Sequence, residues 1–319
     1  MQFLTPFRTT FRAIPRGLPA LLLAALPLWA PTAAHACACG CGVFDVGTGA
    51  MFPDGAGGVV SIEADFLNQN TNWSGTSAAP ADNNGDKHIQ TQFYTAGLQY
   101  MFNRRWGIQV DVPYWSRKFT TEDDSGNIGT FNHSAIGDIR IRGVYTGFSP
   151  DMSSGLTFGL KLPTGDSNYA NFDPDTEIGS GSTDLLLGGF HRGRLTKDGK
   201  VGYFLRGQWE QPVQSKSNYR PGNEVIGVAG TYFEGLRSSD AFSLTPLVQV
   251  TAAYRGHDGG TDGHPGDSGY TRLIVGPGVE AHFSKVRVYA EAGFAVYNNV
   301  SGNQLISKQL YKVTAYYSF

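Results

Sequence analysis

From about Val59 to the C-terminus the chain alternates apolar and polar residues with a period of two, and that rhythm admits few folds. Val60, Ile62, Ala64 and Phe66 alternate with Ser61, Glu63 and Asp65; Tyr94, Leu98 and Tyr100 alternate with Thr95 and Gln99. Trp106, Ile108, Val110 and Tyr114 follow after a short turn, and the pattern returns near 136–147, 154–162, 182–192 and 201–213. Further runs lie at about 224–235, 241–255, 269–283 and 286–298. The last run places Leu305, Ser307, Gln309, Tyr311, Val313, Ala315, Tyr317 and Phe319 on one face. The reading is therefore all-β with twelve strands.

The connections alternate in length. Short ones fall near 103–105, 148–153, 193–200, 236–240 and 284–285. Longer polar ones fall near 68–88, 117–134, 163–181, 214–223, 256–268 and 299–304. Short turns at one end and long loops at the other are the asymmetry of an outer-membrane-type barrel with both termini on the periplasmic side. A secreted β-sandwich also alternates, but buries its apolar face. Phe319, with Tyr311, Val313 and Tyr317 on the same face, resembles the C-terminal signal by which bacterial barrels reach their assembly machinery. The expected fold is a 12-stranded antiparallel transmembrane β-barrel over 57–319, embedded in outer-membrane lipid of a Gram-negative bacterium. Trp106, Tyr114, Trp209 and Tyr254 are candidates for its interfacial girdles.

Composition removes other classes. Charged residues are 16% and the 319 residues include 42 glycines, against roughly 25% charge and about 7% Gly in ordinary soluble chains. Such low charge does not suit a nucleic-acid partner. Past the N-terminus no apolar run approaches the roughly 20 residues of a spanning helix.

Residues 1–36 read as a signal peptide: Arg8, Arg12 and Arg16 precede an apolar run, and Ala34-His35-Ala36 offers a cleavage site. Removing them leaves a net charge of about −5. A Cys/Gly-rich periplasmic segment, 37–56, would then begin with Cys37, Cys39 and Cys41. Three alternating thiols in an exported chain could chelate a soft metal ion such as Cu(I) or Zn(II), close an oxidised loop, or carry a lipid on Cys37. No other cofactor is indicated.

Several segments resemble the outer-membrane family named for the meta-pathway of phenol degradation, a group regarded as small-molecule transporters. They are Val112-Pro113-Tyr114, Ile136-Gly137-Asp138-Ile139, Leu160-Lys161-Leu162-Pro163-Thr164-Gly165-Asp166 and Gly179-Ser180-Gly181-Ser182-Thr183-Asp184. The resemblance implies passage of a small apolar or aromatic solute, with no enzymatic activity. The cysteine-rich start departs from that pattern.

Strand parity turns Glu63, Asp65, Gln109, Asp111, Arg140, Arg142, Lys161, Arg206, Glu210, Arg272, Glu280 and Glu291 toward the interior. With both signs present, two readings stay open: a conduit whose charges orient a solute, or a salt-bridged plug that stabilises the barrel. The loop from Gly256 to Asp267 holds carboxylates and imidazoles but fits no EF-hand spacing, while Asp82–Asp86 and Asp173-Pro174-Asp175 read as solvated turns. A rim hydrolase is the alternative from another class, with His88, His133, His257 and His264 as its candidate bases, although no G-x-S-x-G or H-E-x-x-H motif occurs.

Overall fold

The computed structural model describes residues 52–319 except 54, 124, 235, 240 and 241. The expected signal peptide over 1–36, and Cys37, Cys39 and Cys41, lie outside the described residues. Twelve antiparallel strands run in chain order, and each pairs with its sequence neighbours. They are β1 Gly57–Gln69, β2 Asp86–Met101, β3 Trp106–Glu122 and β4, which has two segments, Ile128–Ile136 and Ile139–Tyr145. Next come β5 Ser154–Leu162, β6 Thr183–Arg194, β7 Val201–Gln214 and β8 Glu224–Phe233. The last four are β9 Phe242–Arg255, β10 Tyr270–Phe283, β11 Val286–Ile306 and β12 Gln309–Ser318. Closure is made by β1 against β12, from Val59 opposite Ser318 to Leu67 opposite Leu310. An all-next-neighbour closed sheet leaves no free edge in the wall, the condition that a bilayer imposes on strands.

The faces are reversed relative to a soluble sandwich. Ile62, Leu205 and Val313 are 68%, 48% and 49% exposed, whereas Arg142, Asp184 and Lys312 are at most 3% exposed. Apolar side chains stand outside all round the barrel, far beyond what a soluble monomer exposes. At the short-turn end an outer aromatic group gathers: Trp106 lies 4.6 Å from Tyr145, Tyr100 5.6 Å from Phe102, and Tyr100 6.4 Å from Phe319. Phe319 exchanges backbone hydrogen bonds with Gly58 at 2.9 and 3.0 Å. A Cβ at Gly58 would fall 2.2 Å from the Phe319 ring, so the terminal aromatic needs glycine opposite it.

Three expectations for the connections change. β11 continues through 299–306, because Thr71–Gly75, from the connection after β1, pairs with its upper half. Leu305 therefore belongs to β11 and Ser307 to the turn, and the aromatic face of the last strand starts at Gln309. The expected loop at 117–134 is mostly strand, since β3 and β4 stay paired from Tyr114 opposite Ile136 to Glu122 opposite Ile128. β4 itself is interrupted at Gly137 and Asp138. Opposite the break stands Pro113, which has no N–H to donate but accepts one from Gly137 at 2.8 Å, and the extra residues bulge there.

Candidate functional site

The lumen is built from three kinds of surface. The first is charged. On one side Lys161 joins Asp184 at 2.5 Å and Glu210 at 2.7 Å, while Arg140 reaches Glu210 at 3.3 Å. Beside them Arg142 meets Asp111 at 2.8 Å, and Gln109 donates to the same carboxylate. A second group forms where the barrel closes: Lys312 stands 3.1 Å from Glu63 and 3.7 Å from Asp65, and Gln249 donates to Glu291 at 2.7 Å. Tyr289 also donates to Glu291. Glu280 sits apart, lining a cavity of about 280 Å³ at the short-turn end with Arg192, Arg194, Glu234 and Arg287. Arg206 is inward on β7, and Arg272 stands apart from both groups. Most of the parity-selected side chains placed here are spent on one another, as buried charges require.

The second surface was not anticipated. On the same inward register lie Leu67, Phe93, Trp115, Phe190, Phe204, Ile226, Ala253, Ile274, Val300 and Leu310, contributed by strands on every side of the barrel. They pack as one apolar cluster across the lumen. Phe93 meets Trp115 edge-on at 4.8 Å. At the short-turn end Phe52, from the segment before β1, enters beside Phe190 and Phe204 at 5.2 and 5.9 Å, with Arg192 donating to the Pro53 carbonyl at 3.2 Å. The sequence does carry this signal, as apolar residues on the otherwise polar register, but charge draws attention first.

The third surface is the 163–182 connection, which folds into the lumen instead of standing above it. Phe172 is buried against Ile89, Phe119 and Leu305. Arg117, on the inner face of β3, donates to Thr91 at 3.0 Å and to the carbonyls of Thr176 and Glu177. Tyr169 stacks on His133 at 3.7 Å, and His133 also meets Asp166 at 3.1 Å. Asp138 clamps the two ends of the loop: it accepts from Gly165 N at 3.0 Å and from Ser180 N at 2.8 Å and Oγ at 2.5 Å. Gly165 and Gly179 touch so closely that a Cβ on the first would lie 2.5 Å, and on the second 2.3 Å, from the other's backbone. Three of the resemblance motifs therefore meet at one clamp. Asp173-Pro174-Asp175 is half-buried against the lumen and is no solvated turn; in the Asp82–Asp86 stretch Asp82 and Asn83 are exposed as expected, but Asn84 and Asp86 are buried. Glu177 accepts from Tyr169 N at 2.7 Å, yet burial holds its carboxyl up at about 7.

The candidate bases are scattered. His88 contacts Asn68, and His257 donates from Nδ1 to the Ser268 carbonyl at 2.6 Å. His264 sits in the 256–268 loop with a positive φ of 40°. In that loop the Asp258 carboxylate joins Arg255 at 2.7 Å, Tyr219 at 3.0 Å and Gly222 N at 2.7 Å. His191 does meet a serine, Ser154, at 2.8 Å, but its other nitrogen faces the Tyr203 hydroxyl, not a carboxylate.

These features define a class: a twelve-stranded barrel of the outer-membrane type with a narrowed, partly apolar lumen. No protein-family model matches the sequence, and no curated protein matches it. Among solved structures, an outer membrane channel from Pseudomonas putida F1 aligns with a TM-score of 0.65 at 12% identity, covering 86% of this chain and 100% of that one. The β domain of the Bordetella autotransporter BrkA aligns at 0.52 and 13% identity, covering 83% and 100%. Two barrels with such different descriptions share the architecture, so at these identities the likeness speaks for the fold.

Proposed function

We propose that the chain is an outer-membrane channel of a Gram-negative bacterium that passes small apolar or aromatic solutes. The observation that carries this reading is the apolar cluster on the inward register. A water-filled pore for hydrophilic solutes has no use for Phe93, Trp115, Phe190 and Phe204 in its lumen, and each of those rings turned inward forgoes contact with lipid. The ion-paired groups stabilise and narrow the lumen, which makes the conduit and the plug two aspects of one wall. Lipid would contact the exposed apolar face, and Phe319 would serve delivery to the barrel-assembly machinery. Cys37, Cys39 and Cys41 remain candidate ligands for a soft metal ion, or a lipid anchor, which the intact mass of the mature protein separates.

The test is uptake by cells lacking their general porins, with and without this protein, because the lipopolysaccharide leaflet and not a phospholipid vesicle is the relevant barrier to apolar solutes. Labelled benzyl alcohol should enter faster when the protein is present, and sucrose should not. Equal acceleration of sucrose would replace this reading with a general pore.

A further inference from the structure

A buried guanidinium inside the apolar cluster lacks an anion. Arg272, near the long-loop end of β10, is 2% exposed, and its Nε and Nη2 have no hydrogen-bond acceptor. Among the described residues no ion pair includes it. Its inward neighbours on β10 are Tyr270 and Ile274, and the residues opposite it in register are Ala253 on β9 and Asn298 on β11. Arg142, Lys161, Arg255 and Lys312 each meet a carboxylate and Arg117 meets backbone carbonyls, so Arg272, with two N–H groups unmet, departs from them. Its one partner is the Tyr270 ring, 4.8 Å below the guanidinium carbon. That tyrosine donates its hydroxyl to Glu224 at 2.8 Å, which engages the carboxylate there.

The two unsatisfied atoms are informative. Nε and Nη2 lie on the same edge of a guanidinium, the edge that receives a carboxylate side-on through two parallel N–H···O bonds. Asn298, opposite Arg272 in register, is also buried with its side-chain carbonyl unpaired. Burying a cation without such a partner costs several kcal/mol in general, so a site of this kind is completed by what binds it.

We infer that Arg272 is the head-group anchor of a lumen site for apolar monocarboxylates, with the carboxylate on Nε and Nη2 and the apolar body along Ile274, Val300 and Leu310. This narrows the solute class and rests on the apolar-channel reading.

The experiment is calorimetric titration of the purified protein in a nonionic detergent with 3-phenylpropionate and with its neutral counterpart, 3-phenylpropanol. Wild type should bind the acid at least about tenfold more tightly than the alcohol, the worth of one charge-assisted bond. R272Q should lose that preference and leave alcohol binding unchanged, while R272K should restore part of it. Folding is controlled separately: R272Q removes an uncompensated charge and should keep the heat-modifiable gel mobility of a closed barrel. Equal affinity of wild type for acid and alcohol would overturn the inference and leave the channel reading intact. Sodium chloride competing as well as 3-phenylpropionate would also overturn it, in favour of a plain anion site. Binding of neither probe would remove both the inference and the apolar-channel reading.

Discussion

Lys161→Met tests how the charged wall is held. The ammonium is shared by Asp184 and Glu210 at 2.5 and 2.7 Å, and removing it affects the two carboxylates unequally. Glu210 keeps Arg140 at 3.3 Å, whereas Asp184, 1% exposed, loses the cation it meets and keeps the Ser182 hydroxyl at 2.6 Å beside the Glu210 carboxylate. Stripping one partner from a buried pair costs about 3–5 kcal/mol, most of it from the charge left behind. Asp184 should account for most of that sum, so K161M/D184N should recover about 2 kcal/mol relative to K161M alone. Guanidinium unfolding in lipid vesicles, followed by tryptophan fluorescence, measures both values, and an unchanged slope would show that the denatured states are comparable. A loss under about 1 kcal/mol for K161M, or no recovery on adding D184N, would refute the view that these carboxylates are charged and interdependent.

Other outcomes follow from the lumen's remaining parts. Arg117→Leu removes the bonds to the Thr176 and Glu177 carbonyls and should undock the 163–182 loop, raising single-channel conductance several-fold; an unchanged conductance would place the constriction elsewhere. Glu177 titrates near 7 when docked and near its ordinary 4.5 when released, so the docked loop takes up a proton between those values. Docking therefore weakens as pH rises from about 4.5 to 7 and is constant above, and conductance should rise over the same window, with E177Q flattening the profile. Phe52→Ala opens the space beside Phe190 and Phe204 and should increase conductance; an unchanged conductance would show that this ring does not narrow the lumen. Gly58→Val places side-chain atoms where the Phe319 ring lies and should lower the yield of heat-modifiable folded barrel, with wild-type yield as the contrary result.

The wall was legible in the sequence because closure in lipid leaves a rule for the outer face: it is apolar, with a period of two. Ile62 and Val313 against Glu63 and Lys312 obey it, and the alternation marks out twelve strands. What sits inside was less legible. Phe204 and Arg206 share an inward register, and nothing local says which of them dominates the lumen, because that depends on neighbours from distant strands. The docked loop was hidden for a similar reason. Gly137-Asp138, Thr164-Gly165 and Gly179-Ser180 stand out as motifs, but the contacts among them join residues that are 27 and 42 positions apart. Arg272 could be assigned to the inside by parity; that its Nε and Nη2 lack an acceptor could not.

The most direct test of the central claim is benzyl alcohol uptake by porin-deficient cells expressing the wild type or Phe204→Ser, a variant that puts a hydroxyl into the apolar cluster while leaving the ion-paired groups untouched. Wild type should accelerate uptake of benzyl alcohol and not of sucrose, and F204S, present at equal folded abundance, should lose most of that acceleration. Uptake of benzyl alcohol that is the same with wild type, with F204S and with no protein at all would contradict the account.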